Sequence, residues 1–281
     1  MKTMEPEIVS GRDSLGPNSM EPLFRWVGGK RKLLNKILPY VPQKFGTYYE
    51  PFLGGAALYF SLNPKSAVLG DKNPEIVNYF NTVKASPGAL IRALSQNINS
   101  SENYYRIRDL KPSTHIQKAA RFQYLVNLGF SGVYRVNKKG EFNVPYSKEV
   151  NRQFFDGADI WAAHRMLKGA KLICGDFSKT VANATSGDLV YFDPPYTVAH
   201  DNNGFLEYNE SIFEWKEQVK LSLLVKELAQ KGVKVIVSNA NHFSVRDLYD
   251  EVNIKYIDRS STISADGKKR GMVKEILVVY T

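Results

Sequence analysis

A single cysteine, Cys174, among 281 residues excludes an internal disulfide and any cysteine-based zinc cluster. The four histidines, His115, His164, His200 and His242, lie far apart without ligand spacing, so no metal site is expected. No apolar run approaches the roughly 18 residues that a membrane-spanning helix needs, and no charged-then-apolar leader opens the chain. A soluble, cytoplasmic protein is therefore expected. Internal repeats and low-complexity tracts are also missing. Acid is scarce: 38 Lys and Arg face 28 Asp and Glu, a formal charge of +10, and the six basic residues between Pro22 and Tyr49 meet no acid at all. Such an excess points to a polyanionic partner, nucleic acid ahead of a membrane surface.

What is present reads as a globular α/β chain, 43% hydrophobic. Residues 1–21 mix Gly, Pro, Ser and charge without periodicity and are expected to form a disordered extension, with Met20 as a candidate alternative start. In "FRWVGGKRKLLNKILPYVP" a glycine turn precedes an amphipathic helix whose stripe is Leu33, Leu34, Ile37 and Leu38 and whose stop is Pro39. "TYYEPFLGGAALYFSL" reads as strand, Gly-Gly turn and helix. "SAVLGDKNPEIVNYFNTV" reads as a strand ending at Asp71 and a helix starting near Pro74. Strand and helix alternation returns with "AKLICGDF", "DLVYFDPPY", "FEWKEQVKLSLLVKELAQKG", "VKVIVSNA", "SVRDLYDEV" and a final pair, "NIKYIDRSS" and "EILVVYT". Between the halves, residues 86–165 are helical around the aromatic, basic loop "SGVYRVNKKGEFNVPYSK". The reading is a doubly wound sheet formed by 22–85 and 166–281, with 86–165 inserted between its second and third strands.

The run Leu189 to Phe192 is apolar at every position, as a parallel strand covered on both faces requires, and then breaks into Asp193, Pro194, Pro195 and Tyr196. An acceptor carboxylate, an acceptor carbonyl held by prolines and an aromatic ring would leave the sheet together at its carboxyl edge. The same tetrapeptide also serves as a plain strand-ending turn. Gly54 and Gly55 after the first strand allow close backbone approach, Asp71 after the second can hold ribose hydroxyls, and Asp176 with Phe177 after the third can bond and cover an adenine ring. "LGGAA" is not the GxGxxG of nicotinamide enzymes, and a turn without ligand fits it equally. Cys174 is expected to be a buried strand residue.

In this order, "FRWVGGK", "EPFLGGAALYF", "GD" at 70–71, "YRVNKKGEFNVPY", "YFDPPY" and "VIVSNA" resemble the DNA adenine methylase (Dam) family, class D12, over about residues 23–281. The resemblance implies a Rossmann-like S-adenosylmethionine-dependent methyltransferase sheet with helices on both faces and a mainly helical inserted DNA-recognition domain. It implies methyl transfer to the N6 of an adenine flipped from double-stranded DNA, GATC being the expected sequence, by a monomer working in the cytoplasm of a bacterial or phage-infected cell, at the nucleoid. Asp193, Pro194, Pro195 and Tyr196 would be catalytic. Trp26, Gly28, Gly29 and Lys30 would close over the methionine part of the cofactor, while Gly54, Gly55, Asp71, Asp176, Phe177 and Asp193 hold the remainder. For Lys30 a solvated, phosphate-binding helix face is the alternative. Phe130 would enter the base stack and Arg135 read guanine, with Ser131, Val133, Asn137 and Pro145 on the same loop and Arg121, Lys138, Lys139 and Lys148 on phosphates. Ser131 stands where the family often has Asn, and Glu149 where basic or aromatic residues are common; both bear on which sequence is read. An N4-cytosine or protein-glutamine methyltransferase shares such a pocket, and a regulator without catalysis shares the basic loop.

Overall fold

The structure, a computed structural model, describes residues 20–196, 213–260 and 272–280. In chain order its strands are β1 (Tyr48–Glu50), β2 (Ala67–Asp71), β3 (Ala170–Cys174), β4 (Leu189–Phe192), β5 (Lys234–Ala240), β6 (Ile254–Ser260) and β7 (Met272–Tyr280). They lie side by side as β3-β2-β1-β4-β5-β7-β6; the first five are parallel and β7 runs antiparallel to both neighbours. Because β1 to β5 point one way, the segments that leave them all emerge at one edge of the sheet.

Apolar runs become strands here because helices cover both faces. In β4, Leu189 and Tyr191 belong to one core layer, and Val190 and Phe192 to the other. Each such fully buried side chain contributes roughly 1.5–3 kcal/mol. The helices are α1 (Leu34–Ile37), α2 (Ala57–Leu62), α3 (Pro74–Ala85), α4 (Pro87–Ser95), α5 (Ser101–Asp109), α6 (His115–Leu128), α7 (Gly157–Leu167), α8 (Phe177–Thr180), α9 (Trp215–Gln230) and α10 (Phe243–Arg246). Helix α3 starts where expected because Asn73 accepts from the Glu75 N–H and Pro74 occupies the first turn. Thr114 and Gln117 close a capping box at the start of α6.

Helices α4 to α7 and the loop after α6 form the segment between α3 and β3. Its apolar residues do not form a separate core: Leu90, Tyr104, Phe122, Leu125 and Ile160 join Leu69, Tyr79 and Phe80 of the sheet layer. The Phe122 ring lies 5.0 Å from Phe24 and 5.6 Å from Tyr79. Helix α7 runs to Leu167, across the expected boundary at residue 165.

Other expectations are corrected. The stretch after the glycine turn is not one helix but a 3-10 turn (Lys30–Leu33), α1 and a second 3-10 turn (Leu38–Tyr40). Pro39 sits inside the last of these, where its missing N–H breaks no bond, so it does not stop the helix. Leu33, Leu34 and Ile37 are buried, but Leu38 only partly. Cys174 is exposed rather than buried, because β3 is the edge strand of the sheet. Of the expected disordered extension, residues 1–19 lie outside the described residues, but Met20 packs on the core and Glu21 pairs with Arg31. The stretch "SADGKKRG", 264–271, which the sequence offers equally as a basic hairpin near the DNA or a solvated turn, lies outside them too.

Since sheet and inserted segment share one apolar layer, Phe122→Ala should destabilise the chain by about 3–5 kcal/mol while unfolding in urea stays a single transition. Two separated transitions would show that the inserted segment has its own core.

Candidate active site

At the carboxyl end of β4 the chain turns out of the sheet as Asp193, Pro194, Pro195 and Tyr196. Facing them is Lys30, which enters from the turn Trp26–Gly29, closed by the Gly29 N–H donating to the Trp26 carbonyl at 3.1 Å. Gly28 takes φ +82°, a conformation that favours glycine. The Lys30 ammonium lies 3.0 Å from Asp193 Oδ1, donates to the Tyr196 hydroxyl at 2.9 Å and sits 4.8 Å from the centre of the Tyr196 ring. It is also 3.5 Å from Glu275 Oε2 on β7. At 4% exposure Lys30 is not a solvated basic face, so that alternative is set aside. Burial alone would push its pKa down; the Asp193 carboxylate, the Tyr196 hydroxyl and the Glu275 carboxylate outweigh it and hold Lys30 well above the lysine range. The same burial raises the Tyr196 hydroxyl.

A second buried carboxylate stands beside this group. Glu50, the last residue of β1, accepts from the Tyr48 hydroxyl at 2.8 Å. Burial, and less strongly the nearby Asp193 charge, push it up to about 8, against the opposing hydrogen bond from Tyr48. Glu50 is thus protonated at neutral pH, while Asp193 keeps the ammonium.

At the ends of β1 and β2 the backbone closes tightly. The Gly54 N–H donates to Asp71 Oδ2 at 3.0 Å and the Asn73 N–H to Oδ1 at 2.8 Å. Burial pushes Asp71 up to about 6 despite these bonds. A methyl group at Gly54 would lie 2.9 Å from Trp26 Cδ1, so only glycine lets the indole and the turn meet. After β3, Asp176 accepts from the Ser178 N–H at 3.0 Å and pairs with Lys220 at 2.9 Å. Burial opposes ionisation of Asp176, but Ser178 and Lys220 outweigh it and lower its pKa. Asp71, beside Trp26 and Gly54, fits a ligand that carries hydroxyls, since each of its oxygens keeps room for a further donor; Asp176 Oδ1 is already taken by the Ser178 N–H, the Ser178 hydroxyl and Lys220, so only its Oδ2 has room for an amino-purine donor. Phe177 fits less directly: it is 4% exposed, with Phe52 stacked at 5.4 Å and Lys220 4.8 Å from the ring centre.

The loop after α6 opens with Phe130, 60% exposed. Its N–H bonds the Pro145 carbonyl at 2.9 Å, and bridges Gly129↔Tyr146 and Val136↔Phe142 fold the loop back on itself. Ser131 (φ 55°) and Lys148 (φ 63°) take left-handed backbone. Both are exposed, as are Arg135, Lys138, Lys139 and Pro145. Arg135 is oriented by Asn143, to which its Nε donates at 2.8 Å. Asn137 is a turn residue, its Oδ1 accepting from the Lys139 and Glu141 N–H groups, and Val133 packs on the core. Tyr134 ties the loop to α3 by donating to Glu75 at 2.8 Å. Glu149 bridges Arg25 at 3.1 Å and Arg152 at 2.5 Å, which accounts for an acid at that place. Arg121 does not face outward: its guanidinium donates to the Ile107 and Arg108 carbonyls, so its expected phosphate role is withdrawn.

Glu50, Glu275 and Glu75 were not picked out from the sequence; for the first two the available signal was one acid inside an otherwise apolar strand, as in "YYEP" and "KEILVVY", while Glu75 lies in the first turn of α3. Among the described residues no group of three or more His, Cys, Asp or Glu could hold a metal ion, and no helix is long and apolar enough to cross a membrane.

Residues 26–263 match the D12 class N6 adenine-specific DNA methyltransferase family, and the chain belongs to it. It is an adenine-specific DNA methyltransferase: it takes a methyl group from a donor and acts on DNA. Type II methyltransferase M1.LlaDCHI of Lactococcus lactis subsp. cremoris is 37% identical over 270 residues, covering 92% of this chain and 95% of that protein. Type II methyltransferase M.MjaIII of Methanocaldococcus jannaschii is 30% identical, covering 93% and 99%. The DNA adenine methylase of Haemophilus influenzae is 30% identical, covering 96% and 97%. Family membership sets aside the cytosine and glutamine alternatives and the non-catalytic regulator.

Because Glu50 and Asp71 hold protons that unfolded carboxyls release near their ordinary values of 4.5 and 3.8, the folded state loses stability as pH rises from there to about 8. The melting temperature should fall across that window. Glu50→Gln, which stays neutral, should melt above wild type at about pH 8.5 and flatten the fall above about pH 6; parallel curves would refute the assignment.

Proposed function

We propose that the enzyme transfers the methyl group of S-adenosylmethionine to N6 of an adenine rotated out of duplex DNA, with GATC as its sequence. The observation that carries this reading is the Asp193–Tyr196 turn, held against a buried lysine one strand away from the Gly54–Asp71 turn. An adenine amino nitrogen is a weak nucleophile because its lone pair is delocalised into the ring. Asp193 Oδ and the Pro194 carbonyl accept its two hydrogens and localise that pair. Lys30 keeps Asp193 ionised and therefore an acceptor. Tyr196 stacks on the base, which must leave the helix to reach a pocket at the sheet edge.

The cofactor supplies an electrophilic methyl on a sulfonium. Gly54, Asp71 and Asp176, with Trp26 above the glycine turn, are the residues that would hold it, while Gly28 and Gly29 shape the turn that delivers Lys30. No covalent nucleophile is needed, and Asp193 is not assigned as a general base: placement and the two acceptors do the work. Phe130 enters the base stack, Arg135 reads guanine, and Lys138, Lys139 and Lys148 contact phosphates. A monomer suffices, since one asymmetric loop addresses one adenine at a time.

Purified wild type incubated with S-adenosylmethionine and unmethylated duplex should yield N6-methyladenine confined to GATC, and Asp193→Ala none, as read by base-resolved mapping. Methylation by Asp193→Ala at the wild-type rate would refute the acceptor role, and methylation elsewhere would refute GATC. Arg135→Ala should relax choice at the guanine position by about 1–3 kcal/mol of discrimination; an unchanged site preference would remove that assignment.

A further inference from the structure

Strand β7 is buried and apolar over Ile276, Leu277 and Val278, yet it carries Glu275 at 0% exposure. A carboxylate withdrawn from water persists only where charge or donors compensate it. Register explains what it meets. Glu275 pairs with Ala240, the last residue of β5, so an acid on an antiparallel strand arrives at the edge where β4 releases Asp193. There its Oε2 is 3.5 Å from Lys30 Nζ, which is itself 3.0 Å from Asp193. One buried ammonium thus lies between two carboxylates delivered by different strands.

That geometry poses a problem for methyl transfer. The oxygen of Asp193 that Lys30 contacts is one that an adenine amino group must also approach. If Asp193 were the sole counter-ion, arrival of the base would either strand the ammonium or be opposed by it. With Glu275 on its other side, the ammonium stays compensated while Asp193 turns toward the base.

We propose that Glu275 is a positioning residue for methyl transfer, anchoring Lys30 so that it orients Asp193 without competing for the hydrogen bonds owed to the adenine amino group. This rests on the adenine acceptor reading above. The groups around Lys30 are Asp193 and Tyr196 after β4, Glu275 on β7 and, behind Asp193, Glu50 and Tyr48 on β1 and Tyr191 on β4. Removing the Glu275 charge leaves Lys30 to Asp193, tightening the pair that must open and lowering the pH at which the ammonium loses its proton.

The experiment compares full-length wild type, Glu275→Gln and Glu275→Asp by steady-state methylation of duplex DNA, S-adenosylmethionine titration calorimetry, thermal melting, and the pH dependence of the Lys30 ammonium signal in 15N NMR. In Glu275→Gln, kcat should fall about tenfold or more, with KM for duplex and cofactor affinity within about threefold of wild type. Its Lys30 signal should vanish at lower pH. Glu275→Asp, which keeps the charge, should recover part of both, and serves as the reading if Glu275→Gln does not fold. An unchanged kcat, an unmoved Lys30 titration, or a Glu275→Asp variant no better than Gln would overturn the proposal. If wild type itself methylates no adenine, the acceptor reading fails; the titration then separately upholds or removes the Glu275–Lys30 contact.

Discussion

A lysine ammonium at 4% exposure needs its compensation built around it, and in this enzyme that requirement ties together three parts of the chain. Lys30 comes from the segment before the first strand, Asp193 and Tyr196 from the end of β4, and Glu275 from the antiparallel β7. Lys30 cannot shift without leaving both carboxylates uncompensated, whereas either carboxylate alone still leaves the ammonium a counter-charge. The pocket's geometry is therefore held by electrostatics across the sheet edge as much as by the two prolines.

The segment that delivers Lys30 is held at its other end by the inserted helices. Gln123 and Asn127 of α6 donate to the Leu23 carbonyl, and the Arg25 N–H donates to Asn127 Oδ1 at 2.9 Å. Trp26 packs against Tyr134 of the basic loop, ring centres 5.8 Å apart, and Tyr134 is tied to Glu75 on α3. One short stretch thus touches the loop that faces outward, the glycine turn at β1 and the Asp193–Tyr196 turn. The shared core layer makes these contacts parts of one packed body, so the exposed basic loop and the carboxyl edge of the sheet are set relative to each other by the same side chains.

Much of this was legible in the linear chain. The apolar run ending in Asp-Pro-Pro-Tyr marked the end of a buried strand, because proline cannot continue a ladder. Asn73-Pro74 marked the start of α3, because capping and the first helical turn are decided within a few residues. The stretch around Pro39 misled, since a proline inside a 3-10 turn looks locally like a helix stop. Arg121 misled as well: on a helix, charge says nothing about which carbonyls the neighbouring turn presents.

By itself, then, the sequence determined the order of strands and helices and which chemical groups leave each strand end, because periodicity, turns and caps act over short spans. Only the tertiary structure decided that β3 is an edge, leaving Cys174 exposed, and that β7 slots between β5 and β6 with Glu275 facing Lys30. Strand order and register depend on contacts between segments far apart in the chain, and a lone acid in an apolar strand reveals its partner only when those contacts bury it.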